Sequence, residues 1–137
     1  MAKIYAAAKL VKDFRIDVDD DRKHAVCLDL QPNDRTDMGP SALELALMSY
    51  VGCYLTIFTL TARKMRITLK HMEVRTEAVK SEVVGTMTET KTDIHIKADA
   101  PEDRIQKAHE LTLKSCPDGI LFEKAGVKMK YAMTIEK

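Results

Sequence analysis

The run "LALMSYVGCYLTIFTLTA", Leu45 to Ala62, decides how the rest of the chain is read. It carries no charge over 18 residues, the lower limit for a membrane span. Ser49, Tyr50, Gly52, Cys53, Tyr54, Thr56, Thr59 and Thr61 nevertheless spread polar groups around it, and no second segment resembles a partner span. A helix apolar on nearly every face is therefore expected at the buried centre of a water-soluble fold. One thiol, Cys53, sits in its middle, and the question is whether it fills a core or does chemistry.

Upstream, Gly39-Pro40-Ser41 opens this helix, with Ser41 as N-cap and Glu44 completing a capping box; the helix is expected to run to about Met65. Before it, Ile4 to Leu30 has period two. Phe14, Ile16 and Val18 share one face, Asp13, Arg15 and Asp17 the other, and Val26, Leu28 and Leu30 repeat the theme, predicting three antiparallel strands. The acidic "DVDDDRK" supplies the turn before the third strand, and "QPNDRTDMGP" reads as a loop.

Downstream, strands are predicted over Leu69 to Lys80 and Met87 to Ala98, joined around Gly85. A second helix starts at Asp99-Ala100-Pro101-Glu102 and ends at "SCPDG", where Pro117 biases Cys116 away from helical angles and Asp118-Gly119 is expected to continue as a turn. Val127, Met129, Tyr131, Met133 and Ile135 then alternate with polar residues in a last strand. The order βββ-α-ββ-α-β is an α+β layout, expected to form one domain over residues 1–137.

Positive and negative side chains nearly cancel, 22 against 21, so no phosphate-binding surface and no nucleic-acid partner is expected. Lys9 and Lys12 interrupt any apolar leader, which points to a cytoplasmic protein. Three widely spaced cysteines form neither a disulfide framework nor a CxxC metal pair and should rest reduced. His24, His71 and His95 lack ligand spacing, so no metal site is expected, and chemistry carried by a cysteine needs no metal, flavin or haem cofactor.

Cys27 lies in a strand pattern and receives no role. A reactive Cys53 needs a basic side chain from elsewhere in the fold, because it lies about three turns from its helix start, where the dipole has faded. Glu44 is nine residues from Cys53, roughly 180° around a regular helix. If Glu44 serves a Cys53, that thiol belongs to a second subunit or the helix start is irregular. His109, seven residues before Cys116, reads as a surface or packing histidine rather than a base.

"GPSALELALMSYVGC", followed some sixty residues later by "HELTLKSCP", resembles the OsmC/Ohr family of thiol-dependent peroxidases over essentially the whole chain. The resemblance implies an intertwined homodimer, with two central helices packed against antiparallel sheets and two sites at the subunit interface. It implies Cys53 as the peroxidatic thiolate, Cys116 as the resolving thiol, and Glu44 as the carboxylate that holds an arginine over the reactive sulfur. Arg35 is nearest in position to that arginine, and Arg15 is its rival. Ala42 and Asp118 stand where the family commonly has proline and valine. The expected substrate is a small organic hydroperoxide and the expected reductant a dithiol, such as a lipoyl group, or another external thiol. The alternatives are a binding or interaction module whose thiols never cycle, and a hydrolase or thiol transferase using Cys53.

Overall fold

The structure is a computed structural model that describes residues 2–30 and 37–137, and it divides into two compact units, Met1–Ala46 and Leu47–Lys137. Arg35 lies outside the described residues.

In the first unit β1 (Ala7–Lys12), β2 (Arg15–Asp19) and β3 (Ala25–Leu28) form an antiparallel sheet in that order, as the period-two pattern predicts. The β2–β3 turn is built from its own aspartates: Asp19 accepts from the Asp21 N–H, and Asp20 accepts from those of Arg22 and His24. These local bonds let Asp21 and Lys23 take left-handed angles. Beyond β3, Asp29 is buried although its charge predicts the wet face. Its carboxylate accepts from the Met38 N–H at 3.2 Å and faces Arg15 Nε at 3.9 Å, while its own N–H donates to the Pro40 carbonyl. Gly39 completes this seam, since a Cβ there would meet the Cys27 carbonyl oxygen at 1.9 Å.

Helix α1 (Ala42–Lys64) starts with the predicted capping box: the Ser41 N–H donates to Glu44 Oε1 at 2.9 Å and the Glu44 N–H to Ser41 Oγ at 3.2 Å. It stops in a Schellman motif, with the Ile67 N–H on the Ala62 carbonyl, the Arg66 N–H on that of Arg63, and Arg66 in left-handed backbone.

In the second unit β4 (Thr68–Ser81) and β5 (Thr86–Asp99) form a long antiparallel hairpin turning at Gly85, whose positive φ a side chain would strain. Helices α2 (Glu102–Ser115) and α3 (Pro117–Lys124) follow, and β6 (Lys128–Glu136) closes the sheet order β4-β5-β6. Two features depart from the expectation. Residues 117–124 are a third helix rather than a turn, because Pro117 suits a first helical position and the extended Cys116 it imposes serves as N-cap. Strand β6 runs parallel to β5 rather than antiparallel, because the two helices between them carry the chain back before it re-enters the sheet.

The core of this unit gathers Tyr54, Phe58 and Ala62 of α1, Ile94, Ile96 and Ala98 of β5, and Ile105 and Ala108 of α2, with Cys116 at its edge. His95 and Lys97 point out between them, the alternation that a one-sided sheet requires. By length and composition α1 is apolar enough to cross a membrane, yet Tyr50, Tyr54, Phe58 and Ala62 are its buried residues, while Met48 and Leu60 are exposed.

Candidate functional site

The geometry brings together the two thiols that the sequence singles out. Cys53 stands about three turns into α1. Cys116 stands between α2 and α3, closing one helix and opening the next. Its N–H bonds back to the Thr112 carbonyl at 2.8 Å, and its sulfur, as N-cap of α3, accepts from the Gly119 N–H at 3.4 Å. The Cys116 thiol donates to Cys53 Sγ across 3.2 Å, with both cysteines free. Two sulfurs at that distance need to approach by only about 1.2 Å to reach disulfide length.

Cys116 is 1% exposed and Cys53 is half-buried. Burial pushes the Cys116 thiol up to about 11, against the Gly119 N–H, which pulls it down. At neutral pH it is a neutral donor.

Three tyrosines surround the pair. Tyr54, the residue after Cys53, hydrogen-bonds with His109 Nδ1 at 2.6 Å. Tyr50 hydrogen-bonds with Tyr131 of β6, and its ring stacks on Phe122 of α3 with centroids 5.2 Å apart. His109 meets the Tyr131 ring edge-on at 5.2 Å. Desolvation raises the pKa of all three phenols and lowers that of His109, so the shell is uncharged at neutral pH. At the far side Ser49 donates to Asp118 Oδ2 at 2.5 Å, joining α1 to the first turn of α3. A cavity of about 330 Å³ opens among these aromatic rings and reaches Cys116.

The other candidates each have partners of their own. Glu44 forms the capping box through Oε1, and the Ser41 N–H lowers its carboxyl pKa. Arg15 stands beside Asp29 in the first unit. His109 packs, as the sequence reading expects, but it also carries a hydrogen bond to the α1 tyrosine. Cys27 is half-buried, and its thiol donates to the Leu28 carbonyl at 3.8 Å. Among the described residues no group of three or more His, Cys, Asp or Glu is placed to hold a metal ion.

Sequence reasoning missed Tyr54, Tyr131, Asp118 and Gly119. The signal available for Tyr54 was its helical spacing from Tyr50 and Phe58, a buried stripe that nevertheless bears hydroxyls. Asp118 and Gly119 were read as turn formers because Pro117 marks both turns and helix starts.

No curated protein matches the chain. Among solved structures it is similar to an OsmC-like protein from Mycoplasma pneumoniae, with a TM-score of 0.90 at 18% identity and 99% of each chain covered. It is also similar to an organic hydroperoxide resistance protein from Elizabethkingia anophelis, with a TM-score of 0.71 at 14% identity, covering 100% of this chain and 97% of that one. The organic hydroperoxide resistance protein OhrB of Bacillus subtilis aligns with a TM-score of 0.66 at 16% identity, covering 97% and 98%. At these identities the likeness shows the fold. The family model described as OsmC-like protein matches residues 34–132, more than half of the sequence and inclusive of both thiols. The chain belongs to the OsmC-like protein family.

Proposed function

We propose that this protein is a thiol-dependent peroxidase that reduces organic hydroperoxides through Cys53 and Cys116. The observation that carries the reading is the 3.2 Å approach of the two free sulfurs, which joins residues 63 apart in sequence. The Cys53 thiolate attacks the distal peroxide oxygen, the O–O bond breaks, and the alkoxide takes a proton and leaves as the alcohol. Cys53 is left as a sulfenic acid. The Cys116 sulfur then attacks it, water departs, and a Cys53–Cys116 disulfide remains. An external thiol or dithiol returns both to the reduced state.

The apolar and aromatic surroundings support organic over hydrogen peroxide as substrate, since they reward an alkyl group with burial. For the basic residue that assists Cys53 we propose Arg35, held by Glu44, with Arg15 as the rival. The exposed Met48 and Leu60 on the second-unit part of α1 support a homodimer in which a second copy covers this helix. A reducing cytoplasm is the setting in which both thiols stay free.

Intact-mass analysis and peptide mapping after one equivalent of an organic hydroperoxide test the reading, with Cys53→Ser and Cys116→Ser alongside. The expected result is rapid loss of two hydrogens mapping to Cys53–Cys116, and a trapped sulfenic acid on Cys53 in Cys116→Ser. An unchanged mass would mean that the thiols pack rather than cycle.

A further inference from the structure

We propose that the cavity beside Cys116 is where the reducing thiol docks, and that this thiol attacks Cys116 Sγ and expels Cys53. The inference rests on the two-cysteine cycle above.

The cavity is walled by Tyr50, Tyr54, Tyr131, Gly119 and Glu123 and reaches Cys116, whereas Cys53 forms no part of its wall. A molecule entering it therefore meets the Cys116 sulfur first. Gly119 borders the approach: a Cβ there would fit, in ordinary contact with Cys116 Sγ at 3.5 Å and Tyr50 Cε1 at 3.6 Å, and would take up space beside the sulfur. The volume, about 330 Å³, lies at the lower end of small-molecule sites. With Cys116 buried, a thiol on a folded protein surface is kept off while a slender aliphatic thiol fits. Glu123 is the charged side chain among those lining residues, so the site favours thiols that are neutral or cationic and repels anionic ones.

The chemistry agrees with the direction of attack. The incoming thiolate forms a bond to Cys116 Sγ, the S–S bond breaks, and the electron pair leaves on Cys53, which is regenerated as the thiolate the peroxide step uses. A second thiol, from the same dithiol or another molecule, then displaces the mixed disulfide from Cys116, which takes up a proton. The opposite attack, on Cys53, would expel Cys116 as an anion in the site where burial holds its pKa at about 11, and thiols of high pKa leave slowly.

The test starts from oxidised protein, made in parallel with a hydroperoxide and with diamide so that the disulfide does not depend on peroxidase activity. After brief reaction with mercaptoethanol, acid quench and alkylation with N-ethylmaleimide, peptide mapping is expected to find mercaptoethanol on Cys116 and maleimide on Cys53. The reverse pattern overturns the assignment. Gly119→Ala is expected to slow reduction by roughly tenfold relative to oxidation; slowing of oxidation alone would give the cavity to the peroxide instead. Cysteamine should outrun mercaptoethanol, and mercaptoethanesulfonate should trail both, with the order flattened in Glu123→Gln; an order unmoved by that change overturns the charge selection. A disulfide formed by diamide but not by hydroperoxide would sink the peroxidase reading while leaving the site of thiol attack decided by the mapping.

Discussion

The Tyr54 hydroxyl lies 2.6 Å from His109 Nδ1, so the residue following Cys53 is fastened to the helix that ends at Cys116. Thiol alignment therefore depends on a bond that touches neither sulfur. Tyr54→Phe keeps the ring stacking and removes the bond. It should cost about 1 kcal/mol in urea unfolding and slow disulfide closure after a hydroperoxide pulse several-fold. His109→Ala should reproduce the slowing, whereas Lys107→Ala, on an exposed face of the same helix, should not.

Acid should loosen the same contact. Desolvation lowers the folded pKa of His109 below its ordinary value near 6.5, so in the window below about pH 6.5 the unfolded state binds more protons and stability falls with falling pH. The lowered carboxyls of Glu44, Glu73 and Glu89 act with the same sign but below their ordinary 4.5. Urea midpoints for the parent and His109→Gln are expected to separate at neutral pH and converge as His109 protonates, before the carboxyls titrate.

Alkylation should distinguish the thiols. Cys53 is half-buried, whereas Cys116 is buried and its pKa is pushed up to about 11. With iodoacetamide at neutral pH, Cys53 should react first and Cys116 slowly, gaining reactivity as the pH climbs toward its pKa. Burial of the neutral thiol also contributes stability that is present below about pH 9 and lost as pH rises through the folded value. Equal labelling rates measured by mass spectrometry would contradict this environment for Cys116.

Two helices end in the same motif with different residues. Gly126 closes α3 at φ 88°, with the Val127 N–H on the Phe122 carbonyl, and Arg66 closes α1 at φ 58°. A side chain in left-handed backbone costs about 1 kcal/mol. Arg66→Gly should therefore stabilise by roughly 0.5–1 kcal/mol, and Gly126→Ala should destabilise by about 1 kcal/mol, both read from urea midpoints.

Most elements were legible because each carried its own punctuation. Ser41 and Glu44 marked the start of α1, Gly85 the hairpin, and Pro101-Glu102 the start of α2, while Ile94, His95 and Ile96 announced a one-sided strand. The direction of β6 was not legible, since alternation is identical in parallel and antiparallel strands and only the path of the intervening helices decides. The burial of Asp29 was not legible either: charge alone suggests solvent, and only the fold brings Arg15 and the Met38 N–H to its carboxylate. At the site the thiols stood out as rare residues. Their aromatic shell did not, because a tyrosine stripe at helical spacing looks the same whether its hydroxyls are idle or bonded.

The 63-residue separation between the facing sulfurs has a thermodynamic counterpart. Joining them closes most of the second unit into a loop, and in the chain-entropy account that restricts the unfolded ensemble by roughly 4 kcal/mol. Linkage makes the effect reciprocal: oxidation holds the chain folded, and the folded chain holds the oxidation. The oxidised chain is thus the form most resistant to unfolding, and reducing it again means giving up part of that resistance.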